Sequence, residues 1–579
     1  MKTQFLFLVF LFSALMCGAQ TPWNGTVAEA YDGGDGTPGN PYQITTAEQL
    51  ALLAQQTNNG TGGDAYYILT SDIILNDGDS LLWTPIGSVG VFTGVFDGNG
   101  HIISGLYENG QKISGLFAVT ESATIKNTRL ENATVLEYEQ AYVYTAIGGI
   151  LIGKAKNTNI LDCSVDGVIE IFSSKPSGGV VGQYEVDLND TIFLTNCINF
   201  ATVTENNCTG GIAGKTVVNN GNLVIDNCVN KGYINGWTFS GGMVGNGDFI
   251  IKNCNNFGEI ISEGTAGGMA GQGGLSCSIV YCFNHESGKV TGGMNTGGII
   301  GTAIYTVMSC CGNAALLTGV NEDEIMVGGI SGADGTIYNC FNRGDLTAVY
   351  TGENPLLIQM GGISSTPPND EYIRNVYNAG TIIKPTNTNI QSKWYGYIVP
   401  AIFSDTIISN CYWRRDELIT EYVWNVTTNS WVHLPFSSYF NQGATPSSWV
   451  IGSPQYGTTD LLEALNAGAM DECVWVEDTE GINGGYPIPR PKTYDVVADN
   501  VVENPFDVYP NPTNGVIYVE TVCTPSLQGQ TEYRITNLMG QTIQTGSLHG
   551  ENQQIDVSSL HRGMYFITVG GTTVKFMKQ

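Results

Sequence analysis

Charge is what this chain has least of: Asp, Glu, Lys and Arg together make up 13% of its 579 residues. The shortage is one-sided, with 23 basic residues against 53 acidic ones and a formal charge of −30. So acidic a chain is a poor partner for nucleic acid or anionic membrane, because both are bound through basic patches. Histidine is scarce. His101, His285, His433, His549 and His561 fall in no HExxH pattern, so a zinc metalloprotease is unsupported. No Gly-x-Ser-x-Gly elbow and no phosphate-binding loop occurs either. No metal site, cofactor or catalytic residue is therefore expected.

Long apolar runs are lacking as well. The run Phe5 to Phe12 behind Lys2 is too short to span a bilayer and leads through Ser13 to small residues ending at Ala19. It reads as a signal peptide, with Cys17-Gly18-Ala19 placing cleavage between Ala19 and Gln20. The lipoprotein alternative acylates Cys17, but the residue before it, Met16, is not small. No transmembrane span is expected further on.

What the chain has is glycine, 75 of them, with frequent Asn and Thr and 42% hydrophobic residues. Helical patterning is confined to Thr46 to Gln56 and Thr459 to Ala467. A Gly-Gly-apolar signature recurs at Gly148, Gly178, Gly210, Gly241, Gly267, Gly297, Gly328 and Gly361, about 30 residues apart, a solenoid spacing. Between these lies Asn-Cys-x-Asn, as in Asn227-Cys228-Val229-Asn230, Asn253-Cys254-Asn255-Asn256 and Asn339-Cys340-Phe341-Asn342. Asn196-Cys197-Ile198-Asn199 and Asn375-Val376-Tyr377-Asn378 are variants, and a short apolar stretch such as Glu259-Ile260-Ile261 closes the unit.

Each unit thus holds about three strand-like runs and cannot bury its apolar face alone. Stacked units pair equivalent strands in parallel and share a core. Parallel crossovers favour right-handed winding, so a right-handed parallel β-helix is expected. The rival β-propeller needs longer units and hairpin turns that are scarce here. Glycine is assigned to corners of positive φ. Asn199, Asn230, Asn256, Asn284, Asn342 and Asn378 are candidates for a stacked amide ladder.

Thirteen cysteines follow Cys17, most of them on the repeat: Cys163, Cys197, Cys228, Cys254, Cys282, Cys310 or Cys311, Cys340 and Cys411. Zinc wants two close pairs or a Cys/His cluster, which one cysteine per coil without a histidine partner does not give. Disulfides suit an extracellular chain, yet thiols stacked on parallel strands about 4.8 Å apart point the same way. The favoured reading is a buried thiol column acting as small hydrophobes, with Val376 in one place. Cys208, Cys277, Cys473 and Cys523 lie off the column and are the better disulfide candidates.

Residues 37–135 resemble the opening of bacterial β-helical surface proteins with GLUG repeats. The resemblance rests on Gly39-Asn40-Pro41-Tyr42, Thr46-Ala47-Glu48-Gln49-Leu50, Leu69-Thr70-Ser71-Asp72, Trp83-Thr84-Pro85-Ile86-Gly87 and Phe92 to His101. The Gly-Gly units are similar to the repeats themselves as far as Trp413. This implies a β-solenoid associated with adhesion or substrate presentation. Residues 501–579 resemble the C-terminal sorting domain of the type IX secretion (Por) system of Bacteroidota. Its motif residues are Pro510, Asn511, Pro512, Gly540, Gly563, Tyr565, Lys575 and Lys578. The resemblance implies a small antiparallel β-sandwich, the type IX machinery as partner, and tail removal with attachment to surface lipopolysaccharide. An ordinary terminal Ig-like domain is the competing reading.

The expected organisation is an all-β chain: signal peptide 1–19, N-terminal cap and first coils 20–135, repeat solenoid 136–413, C-terminal coil and cap 414–494, linker 495–500, sorting domain 501–579. Trp424, Trp431, Trp449 and Trp475 fall in the cap, where buried packing is expected in preference to sugar stacking. Asp97 and His101 are the one close acid–histidine pair of the matched region and are read as a structural turn. Asp32-Gly33-Gly34-Asp35 and Asp77-Gly78-Asp79 are weak Ca²⁺ candidates. Asp79-Ser80-Leu81, Asp190-Thr191-Ile192 and Asp405-Thr406-Ile407 resemble a short O-glycosylation pattern. The expected function is a secreted, surface-located, non-catalytic adhesin or scaffold for glycan or extracellular protein. The alternative is a polysaccharide-active lyase or glycosidase, which needs two carboxylates and a basic residue in reach of one another.

Overall fold

The computed structural model describes residues 21–491 and 506–578, with interruptions of which 138–145, 441–459 and 522–530 are the longest. The chain divides into two compact units, 1–492 and 493–579, each with its own hydrophobic core.

The first unit is a β-solenoid. One coil begins at Ile250–Lys252 and continues through Asn255–Asn256, Glu259–Ser262, Thr265–Gly267 and Ala270–Gly273. The chain then returns at Ser278, which lies in parallel register on Ile250. Coils therefore contribute five strands, and like strands of successive coils form five columns. The first four columns join one 40-stranded sheet; the fifth is a separate 7-stranded sheet running from Phe117–Glu121 to Ile300–Ala303. Five columns replace the three strand-like runs expected. The two unrecognised ones carry the Gly-Gly signature, so their small residues look like punctuation in the sequence.

Strand alternation sends Ile251, Ile260, Ala266 and Ala270 inward, all 0% exposed. Fully burying such an isoleucine is worth about 1.5–3 kcal/mol, a gain that needs coils above and below. Positive φ at the corner between the first two columns is taken by side-chain-bearing residues: Asn196, Asn227, Asn253, Tyr281, Cys310, Asn339, Asn375 and Asn410 lie at 52–56°. The glycines of the Gly-Gly pairs are not positive-φ residues, which corrects the role expected of them. They are required by close approach: a Cβ on Gly267 would strike the carbonyl oxygen of Ala270, and one on Gly268 that of Gly298.

Helix is a minor component, as expected. Helix α1, Ala47–Asn58, starts at a Thr46 capping box closed by Gln49 and buries Leu50 and Leu53 in the solenoid core. In the first coil it takes the place of the later strands. Helix α2, Leu461–Gly468, is capped by Asp460, whose carboxylate accepts from the Glu463 N–H at 2.8 Å. It is followed by an antiparallel hairpin, Cys473–Val476 with Ile488–Pro491. Leu461, Leu465, Trp475 and Tyr486 pack on Phe341, Tyr377 and Tyr412, which lie on three successive coils. The cap therefore covers the flank of the last coils. Trp475 is buried as expected. Trp424 and Trp431 oppose each other in the hairpin Tyr422–Asn425 with Ser430–His433, and Trp449 lies outside the described residues.

The second unit holds two small antiparallel sheets. Phe506–Tyr509, Val516–Thr521 and Asn552–Asp556 form one; Thr542–Leu548, Thr531–Asn537, Gly563–Val569 and Thr572–Lys578 form the other. Ile517 and Ile555 from the first share one buried cluster with Ile535, Tyr565 and Ile567 from the second.

Candidate binding faces and the sorting tail

The conspicuous motif residues face inward. In Asn-Cys-x-Asn the first Asn turns the corner, the Cys enters the core, and the second Asn stacks. Asn199 Nδ2 donates to Asn230 Oδ1, Asn230 to Asn256 and Asn256 to Asn284, each at 2.8 Å. Asn284 donates to Asn313 at 2.9 Å, then Asn313 to Asn342 and Asn342 to Asn378 at 2.8 Å. The expected ladder stands, with Asn313 added. Cys311-Gly312-Asn313 hid it because glycine replaces the usual side chain between Cys and Asn. The amides also close on their own turns: Gly258 N–H donates to Asn256 Oδ1 at 3.3 Å, and Asn256 Nδ2 to Gly258 O at 3.0 Å. Such amides have no capacity left for a ligand.

The thiol column is equally internal. Cys163, Cys197, Cys228, Cys254, Cys282, Cys311, Cys340 and Cys411 are buried and not in disulfides, and Val376 sits between the last two. Cys311, not Cys310, is the column member in its coil. Cys254 Sγ donates to the Lys252 carbonyl at 3.1 Å and accepts from the Cys228 N–H at 3.3 Å. Burial, then hydrogen bonding to neighbouring thiols, pushes Cys163, Cys228, Cys282 and Cys340 well above the usual thiol range. These four are held neutral, while hydrogen bonds from neighbouring thiols favour the thiolate at Cys197, Cys254 and Cys311, all of them equally shut away from solvent.

Two of the outward rows offer polar and aromatic side chains for contact with other molecules. On the fifth column Lys154, Gln183, Lys215, Asn246, Gln272 and Thr302 stand in parallel register, all partly exposed. Asn246 Nδ2 donates to Gln272 Oε1 at 2.6 Å. Beside this row Lys156 Nζ bridges Glu121 at 2.9 Å and Asp187 at 3.0 Å, while Lys154 holds Glu185 at 3.0 Å. Hydrogen bonds from Asn157, then Lys156, hold the Asp187 carboxyl below its usual range.

The other row follows the ladder by one residue: Phe200, Lys231, Phe257, His285, Ala314 and Arg343, joined coil to coil by backbone hydrogen bonds of the ladder residues. Phe200 is 45% and Phe257 37% exposed. Lys231 Nζ lies 5.3 Å from the Phe200 ring centre, and His285 stacks on Phe257 at 4.0 Å and 12°. Burial lowers the His285 pKa, so the ring is neutral at pH 7. This row went unremarked in the sequence, although the residue after each Asn-Cys-x-Asn spells it out. Next to it, Phe283, Gly312, Phe341 and Asn483 help line a recess of about 20 Å³, room for a water molecule.

The other candidates resolve into structure. Asp97 and His101 are not partners. Asp97 binds Lys126 Nζ at 3.1 Å and Asn127 Nδ2 at 2.9 Å, whereas His101 Nδ1 meets Asp72 across the coil at 3.1 Å. The Asp35 carboxylate is taken by the Thr37 N–H and hydroxyl, and Asp32 by Gln49 Nε2 at 2.8 Å. Among the described residues no cluster of three or more His, Cys, Asp or Glu is placed to hold a metal ion. Thr191 is described, half-buried at the start of the strand Thr191–Thr195; Asp79, Ser80 and Thr406 lie outside the described residues, as do Ala19 and Gln20.

In the tail, Gly563 and Tyr565 lie on one strand paired with that of Lys575 and Lys578, Gly563 opposite Lys578 and Tyr565 opposite Phe576. Tyr565 and Lys578 are buried. Pro510, Asn511, Pro512 and Gly540 lie outside the described residues. Residues 507–579 match the secretion system C-terminal sorting domain. The sorting domain assigns the chain to type IX export and to the cell surface or the medium, and its partner is the secretion machinery. No helix among the described residues is long and apolar enough to cross a membrane. The chain is also 30% identical over 211 residues to halomucin of Haloquadratum walsbyi, a match covering 34% of this chain and 2% of halomucin. The chain thus meets about 2% of the length of that curated relative.

Proposed function

We propose that this protein is a non-catalytic surface scaffold of a Bacteroidota-like bacterium, a right-handed GLUG-type β-helix that binds glycan or an extracellular protein along its flank. The observation that carries the reading is the polar row Lys154, Gln183, Lys215, Asn246, Gln272 and Thr302, repeated coil by coil. A linear polymer with its own repeat meets equivalent donors and acceptors along such a row. Signal cleavage after Ala19, tail removal and attachment to lipopolysaccharide complete the proposed route to the surface.

The polysaccharide-active alternative has one observation in its favour, the Glu121–Lys156–Asp187 group. A glycosidase needs one carboxyl kept protonated near working pH. Here both carboxylates grip one ammonium, and Asp187 is held in its ionised form. That arrangement supports a structural clasp better than an acid catalyst.

A glycan array together with a panel of polysaccharides tests the reading on purified residues 20–494. Binding without release of reducing ends or unsaturated sugars is expected, and measurable turnover overturns it. Deleting 501–579 is expected to leave the protein in the periplasm; normal surface display of the truncated chain removes the sorting assignment.

A further inference from the structure

Cys310 is an extra thiol in an unusual place. Its coil already supplies Cys311 to the core column, while Cys310 occupies the corner position, at φ 53°, that Asn253, Asn339, Asn375 and Asn410 hold in other coils. On earlier coils the corner side chains Asn196, Asn227 and Asn253 are exposed, whereas Asn339 and Asn375, later in the stack, are buried. Cys310 is 1% exposed, because the hairpin after α2 covers it. The residue that meets it is Cys473, the first of the strand Cys473–Val476 and itself 0% exposed. Cys473 and Trp475 share the buried face of that strand, Trp475 packs on Phe341 and Tyr377 of the flank, and the Cys473 thiol interacts with that of Cys310, neither being in a disulfide.

We propose that Cys310 and Cys473 form a disulfide that fastens the cap to the flank of the solenoid when the chain leaves the cytoplasm. The pair differs from the column thiols in three respects. Column neighbours stand about 4.8 Å apart on parallel strands, with side chains pointing the same way. Their thiols are engaged by backbone carbonyls, as Cys254 is by Lys252. Cys310 and Cys473 come from two different layers, one from the coil corner and one from the cap, and not from stacked parallel strands.

The chemistry is thiol–disulfide exchange with an oxidised dithiol protein of the export compartment. While the cap is undocked, the Cys473 thiolate attacks the oxidant's disulfide and forms a mixed disulfide. The Cys310 thiolate then displaces the oxidant. One sulfur–sulfur bond breaks in the oxidant and one forms in this chain; two electrons and two protons leave with the oxidant's dithiol. Docking afterwards buries the bond, where exchange with other thiols is slow.

The test is peptide mapping of the full chain exported to a bacterial periplasm containing a thiol oxidase, with free thiols blocked and no reductant added. The expected result is a peptide containing Cys473 linked to the one containing Cys310 and Cys311, two hydrogens lighter than the pair of reduced peptides. Because that peptide carries two cysteines, the variants separate them. Cys310→Ser abolishes the link and Cys311→Ser keeps it. Quantitative blocking of both Cys310 and Cys473, a link that survives Cys310→Ser, or pairing of Cys473 with another cysteine overturns the proposal.

Discussion

A side chain on Gly268 would collide with Asn284, coming within 2.7 Å of its amide carbon. The same relation joins Gly242 to Asn256 at 2.7 Å from the amide oxygen and Gly329 to Asn342 at 2.6 Å from the amide carbon. The two sequence signatures are therefore halves of one device. From Gly179 to Gly362, the second glycine of seven of the eight Gly-Gly pairs leaves room for the ladder amide of the next coil, Gly149 being the exception.

Gly268→Ala is expected to destabilise the solenoid by about 1–3 kcal/mol, the usual penalty for crowding a close-packed core. Gly39→Ala is the control, since a Cβ there meets nothing within 4 Å, and its effect should stay within about 0.5 kcal/mol. Urea unfolding midpoints of the two variants decide the matter. Equal shifts would refute the close-approach account.

Asn284→Leu removes the acceptor for Asn256 and the donor to Asn313. Each buried partner left unsatisfied costs about 1–3 kcal/mol, so a loss of about 3 kcal/mol or more is expected. Asn253→Ala removes an asparagine from a left-handed corner instead and should cost about 1–2 kcal/mol. Denaturant unfolding of both variants should rank the ladder above the corner.

Cys254→Val is expected to be tolerated, at a cost below about 1.5 kcal/mol, because Val376 already fills the equivalent place in another coil. Thiol-blocking reagents should label column cysteines only as the solenoid unfolds. Rapid labelling of Cys254 in the folded protein would show that the column opens.

Glu108 is fully buried, and burial holds its carboxyl well above the ordinary range against opposing hydrogen bonds from Gly115 and Ser114. The folded state thus keeps a proton that the unfolded state releases above about pH 4. Stability from this group is complete below that value and falls as pH rises towards the folded pKa. Glu108→Gln should therefore raise the unfolding midpoint at pH 7, with the gain disappearing near pH 4. A gain independent of pH would assign the effect to packing alone.

The sequence shows the periodic residues and hides the small ones. Asn199 to Asn378 and Cys163 to Cys411 could be assigned because one residue type must recur where identical side chains stack. The strands Thr265–Gly267 and Ala270–Gly273 escaped because a close wall selects residues without bulk, which carry no strand signature. Gly-Gly was assigned to corners because glycine's freedom and its small size leave the same letter in a sequence. Asp97 and His101 looked paired because they are near in the chain, whereas their partners Lys126 and Asp72 lie about one coil away. The outward rows obey no internal constraint, so their residue types vary, and only its place after Asn-Cys-x-Asn marks the row from Phe200 to Arg343.

Removing the coil built from residues 250 to 277 would bring the coils on either side of it into the same parallel register. Ser278 would then follow Phe249, and Asn230 would face Asn284 with the same donor and acceptor that Asn256 now offers it. Each such loss or duplication changes the height of the stack by about 4.8 Å. For a protein carried to the outside of a cell, reach is thereby a quantity that heredity can adjust in whole steps, one genetic slip at a time, while the molecule goes on folding as before.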